Sequence, residues 1–76
     1  MSVQARFFVS TVTKTANGYS PVVLLPAIKG EANKEWAHYT PSGRMELNVS
    51  NESGAVEFFE RNIGKDVAIT FDELDA

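Results

Sequence analysis

The absence of cysteine from a chain of 76 residues is the feature that most constrains its fold. A domain of this length buries only about 60% of the surface of its unfolded chain, so its hydrophobic core is thin. Small domains often compensate with disulfides, a structural metal or partner subunits. Disulfides are excluded, and because His38 is the only histidine, a structural zinc site would need carboxylates almost alone. We therefore expect a single domain over residues 1–76, without metal or cofactor, that gains support from self-association.

Apolar patterns predict four β-strands. Val3–Thr13 is rich in β-branched and aromatic residues, and Pro21–Ile28 contains a continuous apolar run typical of a strand covered on both faces. The turn signal Asn17-Gly18 lies between them. Arg44–Ser50 alternates between apolar and polar residues, which predicts a half-exposed strand, and Lys65–Glu73 is the last strand. In the first strand one predicted face holds Phe7, Val9 and Thr11, and the other holds Phe8, Ser10 and Val12.

A helix is predicted between the third and fourth strands. Asn51 is a suitable N-cap for it, and Gly64 is a suitable stop. Between them the residues at helical spacing form an apolar face that consists of Ala55, Val56, Phe59 and Ile63.

These elements together predict an α+β fold, a four-stranded β-β-β-α-β sheet with one helix packed on it. The first three strands can form a meander. A right-handed crossover through the helix would then return the fourth strand parallel to the first, most simply beside it. The alternative is that the sheet curls into a small OB-like barrel, since an OB-fold also has a helix between its third and fourth strands. That fold needs five strands, so the first strand would have to bend and serve twice.

The segment Lys29–Arg44 concentrates side chains suited to ligand binding. We predict one helical turn in its middle and a β-turn near its end, and irregular segments of this length in small domains are usually functional or disordered. Aromatic rings can stack on a base, and cationic side chains can neutralise a phosphate. The predicted ligand-binding residues are Lys34, Trp36, His38, Tyr39, Thr40, Ser42 and Arg44, with Trp36 and Arg44 as anchors. The alternative is that Trp36 and Tyr39 cover the open end of the core.

Signatures of catalysis are missing from the sequence. There is no cysteine nucleophile, His38 has no neighbouring serine in a nucleophile elbow, and the five glycines are scattered singly instead of forming a phosphate loop. Glu57 and Glu60 share a helical face, but on an exposed face such carboxylates are solvated charge. We therefore predict a non-enzymatic protein with no catalytic residues.

The net charge of −3 hides a division along the chain, because residues 1–44 are basic overall and residues 45–76 are acidic. This division suits head-to-tail assembly or an anionic ligand held by the first part. The alternative is that solvated positions of the helix and C-terminal segment are simply acidic. Nucleic acid is disfavoured as a partner, since the pI is 4.9 and phosphate neutralisation would rest on seven basic residues.

Targeting signals are also missing. The N-terminal segment has neither a long apolar run nor a cleavage pattern, and the longest apolar stretch, Pro21–Ile28, is far too short to span a bilayer. We expect a cytosolic protein without a membrane partner.

Five segments spread over most of the chain resemble a family of small, mostly uncharacterised proteins encoded by tailed bacteriophages. These segments are Ala5–Ser10, Asn33–Ala37, Thr40–Gly43, Met45–Leu47 and Gly64–Phe71. The resemblance implies a phage or prophage origin and a location in the host cytoplasm. It carries over no functional residue, and it implies a virion part, a nucleic-acid handler or an inhibitor of host defence.

Three functions remain as hypotheses. The first is an oligomeric binding protein that captures a small nucleotide-like anion, such as a host defence signal, without altering it. The second is an interaction protein, either a virion component or a protein that docks on a host protein. The third, which the acidic composition disfavours, is a single-stranded nucleic-acid binder of the OB type.

Overall fold

The computed structural model describes residues 2–39 and 41–75. A single sheet contains four strands, β1 (Ser2–Val12), β2 (Tyr19–Pro26), β3 (Met45–Ser50) and β4 (Asp66–Asp72). Their order is β3-β2-β1-β4, every neighbouring pair is antiparallel, and the sheet curls into a half-barrel. A 3₁₀ turn leads into α1 (Lys34–His38), and α2 (Ala55–Arg61) joins β3 to β4. The α+β class and the four strands are confirmed. The helix between β3 and β4 is present, and the helical turn expected between β2 and β3 forms a second short helix, α1.

The direction of β4 differs from the prediction. It lies beside β1, as expected, but runs antiparallel to it, so that Ser2 is opposite Asp72 and Phe8 is opposite Asp66. The reason lies in α2, whose seven residues span only about 10 Å and cannot return the chain along the length of the sheet. The helix instead contacts β3 and β1 and brings the chain back only as far as Phe8, close to the level at which β3 begins, and from there β4 runs on toward Ser2.

The hydrophobic core lies on one face of the sheet. Val9, Val22 and Leu24 are fully buried at its centre, and Val56 of α2 is buried as well. Around this centre pack the partly buried side chains of Phe7, Val12, Met45, Val49, Phe59 and Val67. Only six hydrophobic residues are buried within the described ranges, so the core is thin.

A β-bulge in β1 changes the face that Val12 occupies. Val9 is opposite Leu24, but the next paired residue of β1 is Thr11, so Ser10 has no partner in β2. Because the extra residue of a bulge shifts the alternation of side chains, Val12 packs on the same cluster as Val9. The prediction that these two valines lie on opposite faces was wrong.

The helix α2 is shorter than predicted at both ends. Its N-cap is Gly54 instead of Asn51, and its last residue is Arg61. Ile63, which the helical pattern placed on the apolar face, forms an isolated parallel bridge with Val9 and is 49% exposed. Gly64 has the positive φ of +80° expected of a stop, but it lies beyond the helix end.

Candidate functional site

One buried amide holds the segment between β2 and β3 against the sheet. Asn33 is 1% exposed, and its Nδ2 donates to the carbonyl oxygen of Lys29 at 2.8 Å and to Oδ2 of Asp66 at 2.7 Å. The segment that was expected to be largely irregular is therefore tied to the first residue of β4. This anchor positions α1, which follows Asn33 directly.

Five of the seven predicted site residues line three surface cavities. The tryptophan cavity, of about 530 Å³, lies between the first half of β1 and α1, and Gln4, Arg6, Glu35, Trp36 and Tyr39 are among its lining residues. The proline cavity, of about 600 Å³, includes Phe8, Leu25, Pro26, Pro41 and Ser42. The α1 hollow, of about 540 Å³, includes Glu31, Lys34, His38 and Tyr39.

Two residues that line the tryptophan cavity each carry a buried nitrogen donor without a partner. Nε of Arg6 and Nε1 of Trp36 are both buried, and neither has a hydrogen-bond partner in the described structure. Burying a donor without a partner costs about 1–3 kcal/mol, so two such donors at one cavity need an explanation.

Aromatic and acidic groups complete the walls of this cavity. The Trp36 ring packs against Phe7, with ring centroids 6.4 Å apart and planes inclined by 43°. Tyr39 is 69% exposed, so its ring is open to a ligand. Glu35 lines the same cavity and supplies a hydrogen-bond acceptor. Cation, acceptor and aromatic surface are therefore combined in one place.

The other predicted residues that the structure describes lie outside this cavity. Lys34 is exposed, and its Nζ lies 3.9 Å from Oε1 of Glu31. The ring of His38 makes an edge contact with the ring of Tyr39, and their centroids are 5.9 Å apart. Ser42 lines the proline cavity. Thr40 lies outside the described residues.

Arg44 is separated from the other predicted anchor. Its Nη2 donates to Oε2 of Glu46 at 3.1 Å, and it lines none of the three cavities. Trp36 and Arg44 therefore do not share a cavity. The structure instead groups Trp36 with Tyr39, which follows it by three positions, and with Arg6 of β1.

Sequence reasoning missed Arg6 as a candidate site residue. The available signal was its place between Ala5 and Phe7 in a strand with apolar residues on both faces, because charged residues are rarely buried without a partner. The neighbouring Ala5 is 2% exposed, and Arg6 itself is partly buried. The proline cavity offers mostly apolar side chains and glycines, which suit an apolar group better than an anion.

No helix in the described ranges is long and apolar enough to cross a membrane. Nor does any group of three or more metal-ligating His, Asp or Glu side chains come together in residues 2–39 and 41–75. Comparison with protein-family models, with curated proteins and with solved structures finds no match.

Proposed function

We propose that the chain is a non-enzymatic binding protein that captures a small, nucleotide-like anion in the tryptophan cavity. The observation that carries this proposal is the pair of buried, unpartnered nitrogens of Arg6 and Trp36 at one cavity. A ligand oxygen that reaches either nitrogen removes the cost of its burial. Because both atoms lie behind the cavity wall, binding requires one of the two side chains to turn toward the ligand.

Different side chains of the cavity would bind different parts of such a ligand. The Arg6 guanidinium suits a phosphate, since its planar fork can donate two parallel hydrogen bonds. The exposed Tyr39 ring offers a stacking surface for a base. The Glu35 carboxylate can accept a hydrogen bond from a base amino group or a sugar hydroxyl. No histidine or serine base–nucleophile pair lines the cavity in the described structure, which favours capture over turnover.

The resemblance to phage-encoded proteins extends the proposal to a place and a ligand class. The protein would act in the host cytoplasm, and its ligand would be a nucleotide signal used in host defence. Cyclic nucleotides are therefore the first compounds to test beside linear ones.

Trp36 makes the test direct, because it is the only tryptophan in the chain. Its fluorescence emission reports on this cavity alone during titration with linear mononucleotides, cyclic mononucleotides and cyclic dinucleotides. We expect a saturable change in emission for one of these classes. The Arg6→Met variant should weaken binding by roughly 10- to 100-fold, because it removes a charge-assisted hydrogen bond.

The matched control is Arg61→Met. Arg61 lies on α2, with its guanidinium carbon 5.7 Å from the centroid of the Phe58 ring and no place in the tryptophan cavity. Circular dichroism establishes that each variant is folded. If no nucleotide class changes the emission, or if Arg61→Met weakens binding as much as Arg6→Met, the proposal is wrong.

A further inference from the structure

The chain exposes more surface than a self-contained domain of its size. Its accessible surface is 5626 Å² for a mass of 8.4 kDa. A folded monomer of that mass is expected to expose about 4,600 Å². The Cα radius of gyration is 13.8 Å, compared with about 11 Å expected for a compact domain of this length. The excess of about 1,000 Å² is close to the roughly 800 Å² that each partner buries in a standard interface.

Both edges of the sheet are open in the part of the chain that the structure describes. There, β3 pairs only with β2, and β4 pairs only with β1. In β4 the five successive residues Val67–Phe71 include no charge and no proline. Natural edge strands are usually blunted by such residues, so an unprotected run of this length is a surface for strand pairing.

Core-face side chains near these edges are left uncovered. Phe71 of β4 is 50% exposed and lies opposite Val3, which is 53% exposed. Leu47 of β3 is 39% exposed, although its cross-strand neighbour Val22 is fully buried. The apolar face of the sheet therefore continues to both edges, where nothing in the described chain covers it.

We propose that a second copy of this chain covers these edges, with β4 of each copy paired to β3 of the other. The two strands run in opposite directions within one chain, so a two-fold axis along the strands brings β4 antiparallel to the partner's β3. Both edges of each copy are used once. The two half-barrels then close into one eight-stranded barrel, which leaves no free edge.

One register of β4 against the partner's β3 pairs apolar side chains with apolar side chains and an acidic residue with a basic one. When Ile69 is opposite the partner's Leu47, Val67 is opposite the partner's Val49. In this register Phe71 is opposite the partner's Met45, and Asp72 is opposite the partner's Arg44. All three apolar pairs lie on the core face, and the acidic end of β4 meets a cation.

The alternative of pairing β4 with the partner's β4 is less favourable. If all seven residues of the strand pair, Asp66 is opposite the partner's Asp72 at both ends. Like charges directly opposite each other destabilise a strand pair.

The stagger of the two edges also fits a closed barrel. β4 lies alongside Ser2–Phe8, the first part of β1, whereas β3 is level, through β2, with Val9–Val12. Strands must tilt and stagger in this manner before a sheet can close on itself. Neither edge strand lines the tryptophan cavity, so this inference does not depend on the ligand.

Cross-linking tests the register, and the lack of native cysteine gives a clean background. In the variant Leu47→Cys with Ile69→Cys, the two cysteines of one chain are separated across the sheet by three strand spacings, about 14 Å, and are also offset along the strands, which is too far for a disulfide. We expect mild oxidation to give a covalent dimer, with a 47–69 disulfide identified by mass spectrometry. The two single variants and the off-register pair Leu47→Cys with Phe71→Cys should cross-link much less. Absence of the dimer, or a ladder of larger species from open head-to-tail assembly, would overturn the proposal.

Charge reversal tests the same interface without oxidation. Arg44 and Asp72 are exposed, so Arg44→Glu and Asp72→Lys should leave the fold intact. Each single variant should raise the dimer dissociation constant by about tenfold in sedimentation experiments, because it places like charges opposite each other at two symmetric positions. The double variant should restore the dimer. If the unchanged chain is monomeric, or if the double variant dissociates as readily as the single ones, the interface is wrong, while nucleotide binding remains separately measurable.

Discussion

At the scale of single residues, Asn51 shows how one amide joins distant parts of this fold. Its Oδ1 accepts from Oγ of Ser20 at 2.5 Å, and its Nδ2 donates to the carbonyl oxygen of Thr15 at 2.9 Å. Its backbone N–H donates to the carbonyl oxygen of Gly18, also at 2.9 Å. Asn51 therefore fastens the end of β3 to the turn between β1 and β2, and it satisfies a serine that is fully buried.

Replacement of Asn51 should be costly. Asn51→Ala leaves the Ser20 hydroxyl buried without its partner, and we expect a loss of about 1–3 kcal/mol in the free energy of unfolding measured with urea. The neighbouring substitution Glu52→Ala removes an exposed side chain and should change the free energy of unfolding by less than about 0.5 kcal/mol. Equal losses in the two variants would show that the amide network contributes nothing specific.

The role of Asn51 could not be predicted from local sequence. An asparagine a few residues before an apolar helical face is also a typical N-cap. What decides between the roles is Ser20, which lies 31 positions away. The role of Arg6 was missed for the same reason, because the cavity that it lines is formed together with α1, which is distant in sequence. By contrast, Trp36 and Tyr39 are three positions apart, so a local helical turn was sufficient to predict that they share a surface.

At the scale of elements, the strands and their order in the sheet were predictable, whereas the direction of β4, the face of Val12 and the end of α2 were not. Alternation and turn signals locate β1 to β4 within a few residues, since these signals are local. The direction of β4 depends on the short α2, and the face of Val12 depends on the bulge at Ser10. The end of α2 depends on the bridge between Ile63 and Val9. Each of these three features depends on contacts between different elements, which the residue pattern within one strand or helix does not predict.

The connection from α2 to β4 provides an element-scale prediction. Gly64 has φ +80° and donates its N–H to the carbonyl oxygen of Val9 at 2.8 Å, which fixes where β4 begins. Gly64→Val should therefore destabilise the protein by about 2 kcal/mol or more, because a β-branched residue is strained at positive φ.

Gly54→Ala is the comparison for that variant. Gly54 is the N-cap of α2 with φ −53°, and an added Cβ meets nothing within 4 Å. Alanine is a poorer N-cap than glycine but is not strained at this φ, so it should cost about 0.5–1 kcal/mol. Thermal melts of the two variants measure the difference, and a larger effect at Gly54 would contradict this account of the connection.

At the scale of the whole molecule, the proposed pairing of two copies would supply part of the stability that the thin core and the open half-barrel lack. A protein stabilised in this way melts at a temperature that depends on its concentration, because mass action favours the folded pair. We expect the melting temperature to rise by several degrees between about 1 and about 100 µM protein. The Asp72→Lys variant should show a weaker dependence. A melting temperature that stays constant over this range would mean that the single chain is self-sufficient.

The pairing of β1 with β4 has a consequence for how quickly the chain can fold. Ser2 lies opposite Asp72, so this ladder encloses nearly the whole polypeptide and can form only after the widest loop has been closed. Folds dominated by such distant pairings typically reach the native state in milliseconds to seconds, whereas helical bundles take microseconds to milliseconds. During that interval the first half of β1 is a further unpaired edge, and encounters between unfinished chains compete with completion. Refolding yield should therefore fall at high concentration, even though the proposed dimer would make concentrated native protein the more stable form.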